Sequence, residues 1–331
     1  MKELVKINRE SGVPLVGCIA FGIIDRGTDT IQVRPTSSCN MNCSFCSTDG
    51  GPYSKFHKTD YYIELDYLLD WVKEIVKAKG GKINIFIDSV GDPMMYKEIV
   101  ELVRGLKKIE NVGKISMVTN GTLLSEDRIN KLEKAGLDQL NVSFHSTEKE
   151  LAKRLFGMQN YNLEHVMDML RLVSKSKIKL FLTPVWIKGL NDEEIPKIIK
   201  LCKELNAGIG LQKFEVYKYS RKPKGVNIIN YWKFNEQLKK WEKEFNISLR
   251  QNNDEIKEDI SIHKTNRLIT ELEVGEKLYI NIKSKGWLAG QMIGVGRNRA
   301  ISINNCNKNI NDKVMVEILE NQNNIYVARI V

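Results

Sequence analysis

Three cysteines fall within eight positions, Cys39-Asn-Met-Asn-Cys43-Ser-Phe-Cys46, in a chain of 331 residues that carries only six. Six is too sparse for a disulfide framework, and crowding at C-x3-C-x2-C points to a metal instead. Thiolates at this spacing can hold three irons of a [4Fe–4S] cube and leave the fourth iron without a protein ligand, open to a substrate or cofactor. The competing reading is structural zinc, which closes four ligands in paired C-x2-C or Cys/His sets. For zinc, only His57 stands nearby as a fourth ligand, and no second C-x2-C exists. The other cysteines share no ligand spacing. Cys202 lies on an apolar helix face with Ile195, Ile198, Ile199 and Leu205, and Cys18 reads as core in the same way. Cys306, in the polar turn Asn304-Asn305-Cys306-Asn307, reads as an incidental surface or half-buried thiol, with a two-cysteine methyl relay as the functional alternative.

A loop that wraps a cluster needs a rigid frame, and the surrounding pattern supplies one. After a hairpin-like opening (residues 15–24, a turn at 25–27, and a strand ending at Arg34), short apolar runs at 83–87, 115–118, 140–144, 180–186 and 209–216 alternate with helical periods. The clearest periods are Leu65, Leu68, Leu69, Val72, Ile75, Val76 and the run from Ile195 to Leu205. This spacing predicts an α/β fold of parallel units. About six strands are too few for a closed eight-stranded barrel and suit an open partial one, with chemistry at the C-terminal strand ends. Polar stretches stand at those ends: Ser89-Val90-Gly91-Asp92-Pro93, Thr119-Asn120-Gly121, Asn141-Val142-Ser143-Phe144-His145 and Ile187-Lys188-Gly189-Leu190-Asn191-Asp192.

The triplet with Phe45 beside Cys46, followed in order by these four stretches, resembles the radical S-adenosylmethionine (SAM) superfamily over residues 31–224. The resemblance implies a partial (β/α)6 barrel with a [4Fe–4S] cluster on Cys39, Cys43 and Cys46. It implies that SAM chelates the open iron and is split by one electron, from a donor such as ferredoxin or flavodoxin, into methionine and a 5′-deoxyadenosyl radical. Residues 89–93 are similar to the family's G-G-E-P motif, with Val90 in place of the first Gly and Asp92 in place of Glu. The implied SAM contacts are Phe45, Gly91, Asp92, Thr119, Asn120, Ser143, Ile187 and Gly189. The first glycine-bearing stretch would approach the ammonium, the next two the carboxylate and ribose, and the last the adenine. Gly91→Val is then expected to weaken SAM binding with iron intact, because bare backbone must come close there. His145 reads either as a ribose or substrate contact or as a hydrogen-bonded rim histidine. A second cluster and an N-terminal cobalamin domain are not expected.

Composition agrees with a globular chain: 42% hydrophobic, 28% charged, 23 Gly and 7 Pro. The expected divisions are an extension at 1–30, the barrel with its terminal helix at 31–250, a linker at 251–271 and a small β-module at 272–331. The apolar run at 13–24 is too short to span a bilayer, contains Pro14, Gly17 and Gly22, and lacks a cleavage site. It reads as a buried strand of a cytoplasmic protein with no membrane partner.

Short β-type runs at 277–282, 292–295, 300–303, 314–318 and 325–330 predict a small all-β, OB-like barrel. Val274-Gly275-Glu276, Gly286 to Gly290, Asn311-Asp312-Lys313-Val314 and Ala328-Arg329-Ile330-Val331 resemble a TRAM domain, which implies tRNA or rRNA binding. Lys and Arg number 51 against 41 Asp and Glu, a net charge of +10, which favours an anionic partner. From 277 to 311 there is no acid, while Lys277, Lys283, Lys285, Arg297, Arg299 and Lys308 are basic and Tyr279 and Trp287 are interspersed. Lys283, Lys285, Arg297 and Arg299 are the expected RNA contacts, and Trp287 is read as core. A second basic run, Lys213 to Lys224, is either a solvated lip or an RNA guide. The combined expectation is a radical SAM enzyme that modifies an RNA nucleoside, with tRNA foremost. The alternatives are the same chemistry on a peptide or small metabolite, and a non-catalytic, metal-stapled RNA-binding protein.

Overall fold

In the computed structural model, which describes residues 2–249 and 263–331, the chain packs as two units. The described residues of Met1–Asn40, Pro52–Ile115 and His263–Val331 form the first, and those of Met41–Gly51 and Ser116–Ile262 the second.

The first unit opens with β1 (Glu3–Ile7), β2 (Gly22–Asp25), β3 (Thr30–Arg34) and β4 (Thr59–Ile63), followed by α1 (Leu65–Lys79), β5 (Ile83–Ile87), α2 (Ile99–Lys107) and the start of β6 (Val112–Thr119). β2 runs antiparallel to β3 with Gly22 opposite Arg34, and β3 runs parallel to β5. The stripe Leu68, Val72, Ile75 and Val76 is the buried face of α1, as its helical spacing demands. Its last turn buries Lys79, whose ammonium donates to Asp25 at 2.7 Å with both side chains 0% exposed. Such a charge is tolerable only because Asp25 and the Asn266 carbonyl both accept from it. The parallel pair of β1 and β4, with Glu3 opposite Thr59, joins segments more than fifty positions apart and has no local signature.

The second unit continues from the end of β6 through α3 (Glu126–Ala135), β7 (Gln139–Val142), α4 (Lys149–Phe156), α5 (Leu163–Ser174) and β8 (Lys179–Leu182). It then runs through β9 (Val185–Trp186), α6 (Glu194–Glu204), β10 (Gly208–Ile209), β11 (Gln212–Lys213) and α7 (Tyr231–Phe245). β6, β7, β8 and β10 form successive parallel pairs. Polar caps start the helices: Ser125, Asn162 and Asn230 accept the amides of Arg128, His165 and Lys233. The strand expected over 180–186 is two strands, because Pro184 has no amide to give a ladder. The last expected strand likewise divides into β10 and β11, and β11 pairs with β9.

The chain ends in β12 (Lys277–Lys285), β13 (Met292–Gly296), β14 (Arg299–Asn304), β15 (Lys313–Glu320) and β16 (Val327–Ile330), a closed barrel in the order β12-β13-β14-β16-β15. Ile280, Ile282, Ile301, Ile303, Val314, Val316, Ile318, Tyr326 and Ala328 fill it. Cys306 joins this core at 7% exposure, so the polar-turn reading of its thiol is corrected and an exposed relay cysteine is ruled out there.

The barrel belongs to the first unit and bonds to its N-terminal residues. The Val16 carbonyl accepts the Ala300 amide at 2.8 Å, and the Gly17 carbonyl accepts the Tyr326 amide at 2.9 Å. A Cβ at Gly17 would lie 2.0 Å from the Ala300 oxygen, so only glycine allows this approach. The run at 13–24 is therefore strand only from Gly22, and residues 13–21 are mostly buried, with the Val16 and Gly17 carbonyls accepting from barrel amides. Of the expected linker, 251–262 lies outside the described residues, while His263 and Thr265 bond along the turn after β2 through Asp29 and Gly27. No described helix is long and apolar enough to cross a membrane.

Candidate active site

The stem that leads into the cysteines is fixed within the first unit. Beyond β3, the Thr36 hydroxyl donates to the Tyr61 carbonyl at 2.8 Å, and the Tyr61 amide donates to the Ser37 hydroxyl at 2.8 Å. The stretch after β5 clamps the same stem: the Ser89 hydroxyl donates to the Thr36 carbonyl at 2.5 Å, and the Asp92 amide donates to the Ser38 carbonyl at 2.8 Å. The Asp92 carboxylate caps the 3-10 turn Pro93–Met95 through the Met94 amide at 2.9 Å. At Gly91 a Cβ would lie 2.1 Å from the Ser38 oxygen and 2.5 Å from that of Ser37. The missing side chain thus makes room for the stem itself, one residue before Cys39.

This changes the expected outcome of Gly91→Val. The valine must displace Ser38 and with it the first ligand position, so iron content should fall together with SAM affinity. Iron per chain after anaerobic reconstitution and SAM binding, both measured on the purified variant, check this. Wild-type iron with lowered SAM affinity would restore the simpler reading from sequence alone.

The rest of the loop lies in the second unit and has no helix or strand. Cys39, Cys43 and Cys46 are half-buried, whereas Cys18, Cys202 and Cys306 are buried. The Gly50 amide donates to the Cys46 sulfur at 3.2 Å. The loop rests on the end of α4, where the Phe156 and Leu155 carbonyls accept the Asn42 and Ser44 amides at 3.0 and 2.8 Å. Three soft thiol donors on an irregular, accessible loop fit an iron–sulfur cluster with an open iron. Among the described residues, no three His, Cys, Asp or Glu side chains are gathered into a metal cage. His57, the fourth ligand of the zinc reading, is instead 1% exposed in the first unit with its ring 4.0 Å from that of Trp287. Trp287 is itself 6% exposed and therefore core.

Phe45 packs its ring against His145, centroids 4.7 Å apart and nearly perpendicular, in a cluster with Leu155, Ile187, Phe214 and Val226. His145 is 3% exposed and accepts the Val185 amide at Nδ1, 3.1 Å away. Burial lowers its pKa to about 3, so it is neutral near pH 7 with its proton on Nε2. Ile187 has a side chain 0% exposed, its amide donates to Asn191 Oδ1 at 2.8 Å, and its carbonyl accepts the Leu190 and Asn191 amides. Asn191 also donates to the His145 and Val185 carbonyls and so ties this segment to the end of β7. Gly189 adopts φ +83° with open space around it, and its amide donates to Asp192. Thr119 and Asn120 are buried, and their side-chain oxygens accept the Gly121 and Thr122 amides at 3.1 and 2.9 Å. The Ser143 amide donates to the Thr119 carbonyl at 2.8 Å, which joins the ends of β6 and β7. The Glu194 carboxylate accepts from the Ser146 and Thr147 hydroxyls, each at 2.9 Å. Together with Lys197, these donors hold its pKa at about 2 despite burial.

One residue of this site has no signal of its own in the sequence. Arg221 belongs to the basic run 213–224, yet it is neither a solvated lip nor an outward guide, since its guanidinium donates to the Cys43, Asp49 and Gly50 carbonyls and to the Asp49 carboxylate.

On the barrel, Arg299 is 9% exposed and bonded to the Asn298 and Ile269 carbonyls, with Glu271 at 3.5 Å. Arg297 grips the Glu276 carboxylate with two nitrogens. Lys285 meets Glu3 at 2.6 Å, and Lys283 is half-buried.

A sequence profile described as the Radical SAM superfamily matches residues 33–202. An uncharacterized protein of Methanocaldococcus jannaschii, MJ0103, is 36% identical over 96% of this chain and 79% of its own length. The GTP 3′,8-cyclase of Aquifex aeolicus is 27% identical over 64% of this chain, which spans 62% of that enzyme. Among solved structures, Streptococcus suis SuiB bound to precursor peptide SuiA superposes with a TM-score of 0.52 at 16% identity, covering 68% of this chain and 48% of SuiB. With the profile matching half of the sequence and a relative sharing more than a third of its residues, the chain belongs to the radical SAM superfamily of enzymes.

Proposed function

We propose that this radical SAM enzyme modifies a nucleoside within RNA, with tRNA as the substrate. Cys39, Cys43 and Cys46 would hold a [4Fe–4S] cluster, and Thr119 and Asn120 after β6, Ser143 after β7 and Gly189 after β9 would contact SAM. The cluster, once bound and reduced by a ferredoxin- or flavodoxin-like donor, supplies the electron that splits SAM. We read β3, β5, β6, β7, β8 and β10 as the partial (β/α)6 barrel of this family. Phe45, itself a residue of the loop, packs edge to face against the neutral His145 ring.

The observation that carries the RNA reading is the outward row of β12. Lys277, Tyr279, Asn281 and Lys285 are exposed on alternate positions, with half-buried Lys283 in the same row. The Lys313 ammonium lies 5.3 Å from the centre of the exposed Tyr279 ring. Cations flanking an open aromatic face suit a phosphate backbone and a stacked base. The Lys285–Glu3 pair is half-exposed, and a contact of that kind is worth only about 0–1 kcal/mol, weak enough for a phosphate to displace.

A second reading, a free purine nucleotide as substrate, is favoured by the cyclase relatives. The chain spans about three fifths of the Aquifex aeolicus enzyme.

Formation of 5′-deoxyadenosine by the reconstituted enzyme should be stimulated by tRNA and not by GTP. Reversing Lys277, Lys283 and Lys313 to Glu should flatten the salt dependence of tRNA affinity by roughly 0.7–0.9 in log–log slope for each phosphate no longer neutralised. Stimulation by GTP alone would move the nucleotide reading ahead.

A further inference from the structure

The segment that leaves β11 returns to the cysteine loop and bonds it at several points through Arg221. The Arg221 amide donates to the Cys46 carbonyl at 2.8 Å, Nη1 to the Cys43 carbonyl at 3.0 Å, and Nη2 to the Asp49 and Gly50 carbonyls at 3.0 and 2.5 Å. Nε donates to the Asp49 carboxylate at 2.5 Å, and the neighbouring Ser220 hydroxyl donates to the Ser47 carbonyl at 3.0 Å. Asp49 is 1% exposed, so this is an enclosed ion pair and not a surface one.

The loop needs such a hold. Its backbone takes φ +56° at Asp49, uncommon for a residue with a side chain, and φ +105° at Gly51, where a Cβ would meet the Met41 oxygen at 1.8 Å. A planar guanidinium can satisfy carbonyls in several directions at once, which a lysine ammonium on its flexible stem cannot do in the same geometry. By fixing the Gly50 carbonyl, Arg221 also fixes the residue whose amide points at the Cys46 sulfur. Arg221 lies beyond residues 33–202, the stretch that carries the family match.

We propose that Arg221 is a positioning residue for the iron–sulfur cluster. It holds Cys43 and Cys46 in ligating geometry, keeps the Gly50 amide on the Cys46 sulfur, and by offsetting the buried Asp49 carboxylate beside the loop makes the bound cluster easier to reduce. Net charge and hydrogen bonds to sulfur are the two protein levers on such a potential, and Arg221 controls both. The proposal rests on the cluster reading of the three cysteines, and the test separates the two.

Wild type, Arg221→Gln, Arg221→Lys and, as a control, Lys222→Gln are reconstituted anaerobically with iron and sulfide. Iron per chain, the electron paramagnetic resonance signal of the reduced protein, the midpoint potential by dye titration, and the melting of the iron-free chain are measured. Wild type should hold about four irons. Arg221→Gln should hold less than half as much, with the remaining cluster at a more negative potential. Arg221→Lys keeps the charge and loses the fork, so it should recover the potential and not the iron content. Lys222→Gln removes a neighbouring exposed charge and should match wild type in both. Wild-type iron and potential in Arg221→Gln overturn the proposal. Should Arg221→Gln lose its fold without iron, wild-type iron content in Arg221→Lys overturns it instead. A wild-type chain that takes up no iron fails the cluster reading, and the proposal falls with it.

Discussion

Alanine at any one of Cys39, Cys43 or Cys46 is expected to abolish the iron–sulfur cluster and SAM cleavage, while Cys202→Ala retains both. Three thiolates are the fewest that can hold a cube and leave one iron open, so no single loss is tolerated. Their half-exposed sulfurs sit on an irregular loop, whereas Cys202 is 0% exposed on α6 and burial pushes its thiol up to about 12. A thiol so reluctant to ionise is a poor iron ligand. Iron content and 5′-deoxyadenosine release under dithionite read the result, and full cleavage by Cys43→Ala would sink the cluster assignment.

Truncation after Thr265 should destroy the enzyme and not merely its RNA handle. From sequence alone, a chain cut there is expected to keep its iron and an uncoupled cleavage of SAM. In the fold, the cut strips partners from the Val16 and Gly17 carbonyls, the Lys58 amide and the Tyr61 hydroxyl, which bond to Ala300, Tyr326, Trp287 and Lys285. Each such hydrogen bond lost costs about 0.5–1.5 kcal/mol net, and together they are a sizeable part of the roughly 5–15 kcal/mol that holds a typical domain together. Tyr61 is also the residue that anchors the stem at Thr36 and Ser37, so the damage reaches the first cysteine. The expected result is a chain that aggregates or binds no iron, by gel filtration and iron assay. A soluble truncated form with wild-type iron would show that the barrel is dispensable to the fold.

The contrast between these two expectations marks how far local pattern reaches. The cysteine spacing, the stripe on α1 and the run at 83–87 were legible because each depends on residues a few positions apart. Hydrophobic periodicity encodes which face is buried, and donor spacing encodes what a loop can bind. Neither carries information about which distant segment supplies the other side of the contact.

That missing information accounts for the corrections. Gly91 was legible as a place where backbone comes close, but the backbone that comes close is that of Ser38, more than fifty positions earlier. Arg299 and Arg297 are expected phosphate contacts because no acid lies between 277 and 311, and only the fold shows that Glu271 and Glu276, just before that window, reach them. Cys306 looked exposed among asparagines and is core, since the barrel closes over it. The split of 13–24 into an irregular buried stretch and β2 follows from amides of Ala300 and Tyr326.

By itself the sequence determined the chemistry: which atoms can bind iron, that the strands are parallel β/α units, and that a small β-barrel closes the chain. Those properties reside in residue type and short-range spacing. Only the tertiary structure decided which residues support that chemistry, with Arg221 holding a loop some 170 positions before it and the barrel completing a unit that begins at the N-terminal strands. An arginine's partners are set by where the chain returns, and that return is fixed by burial of the whole core rather than by any segment's own pattern.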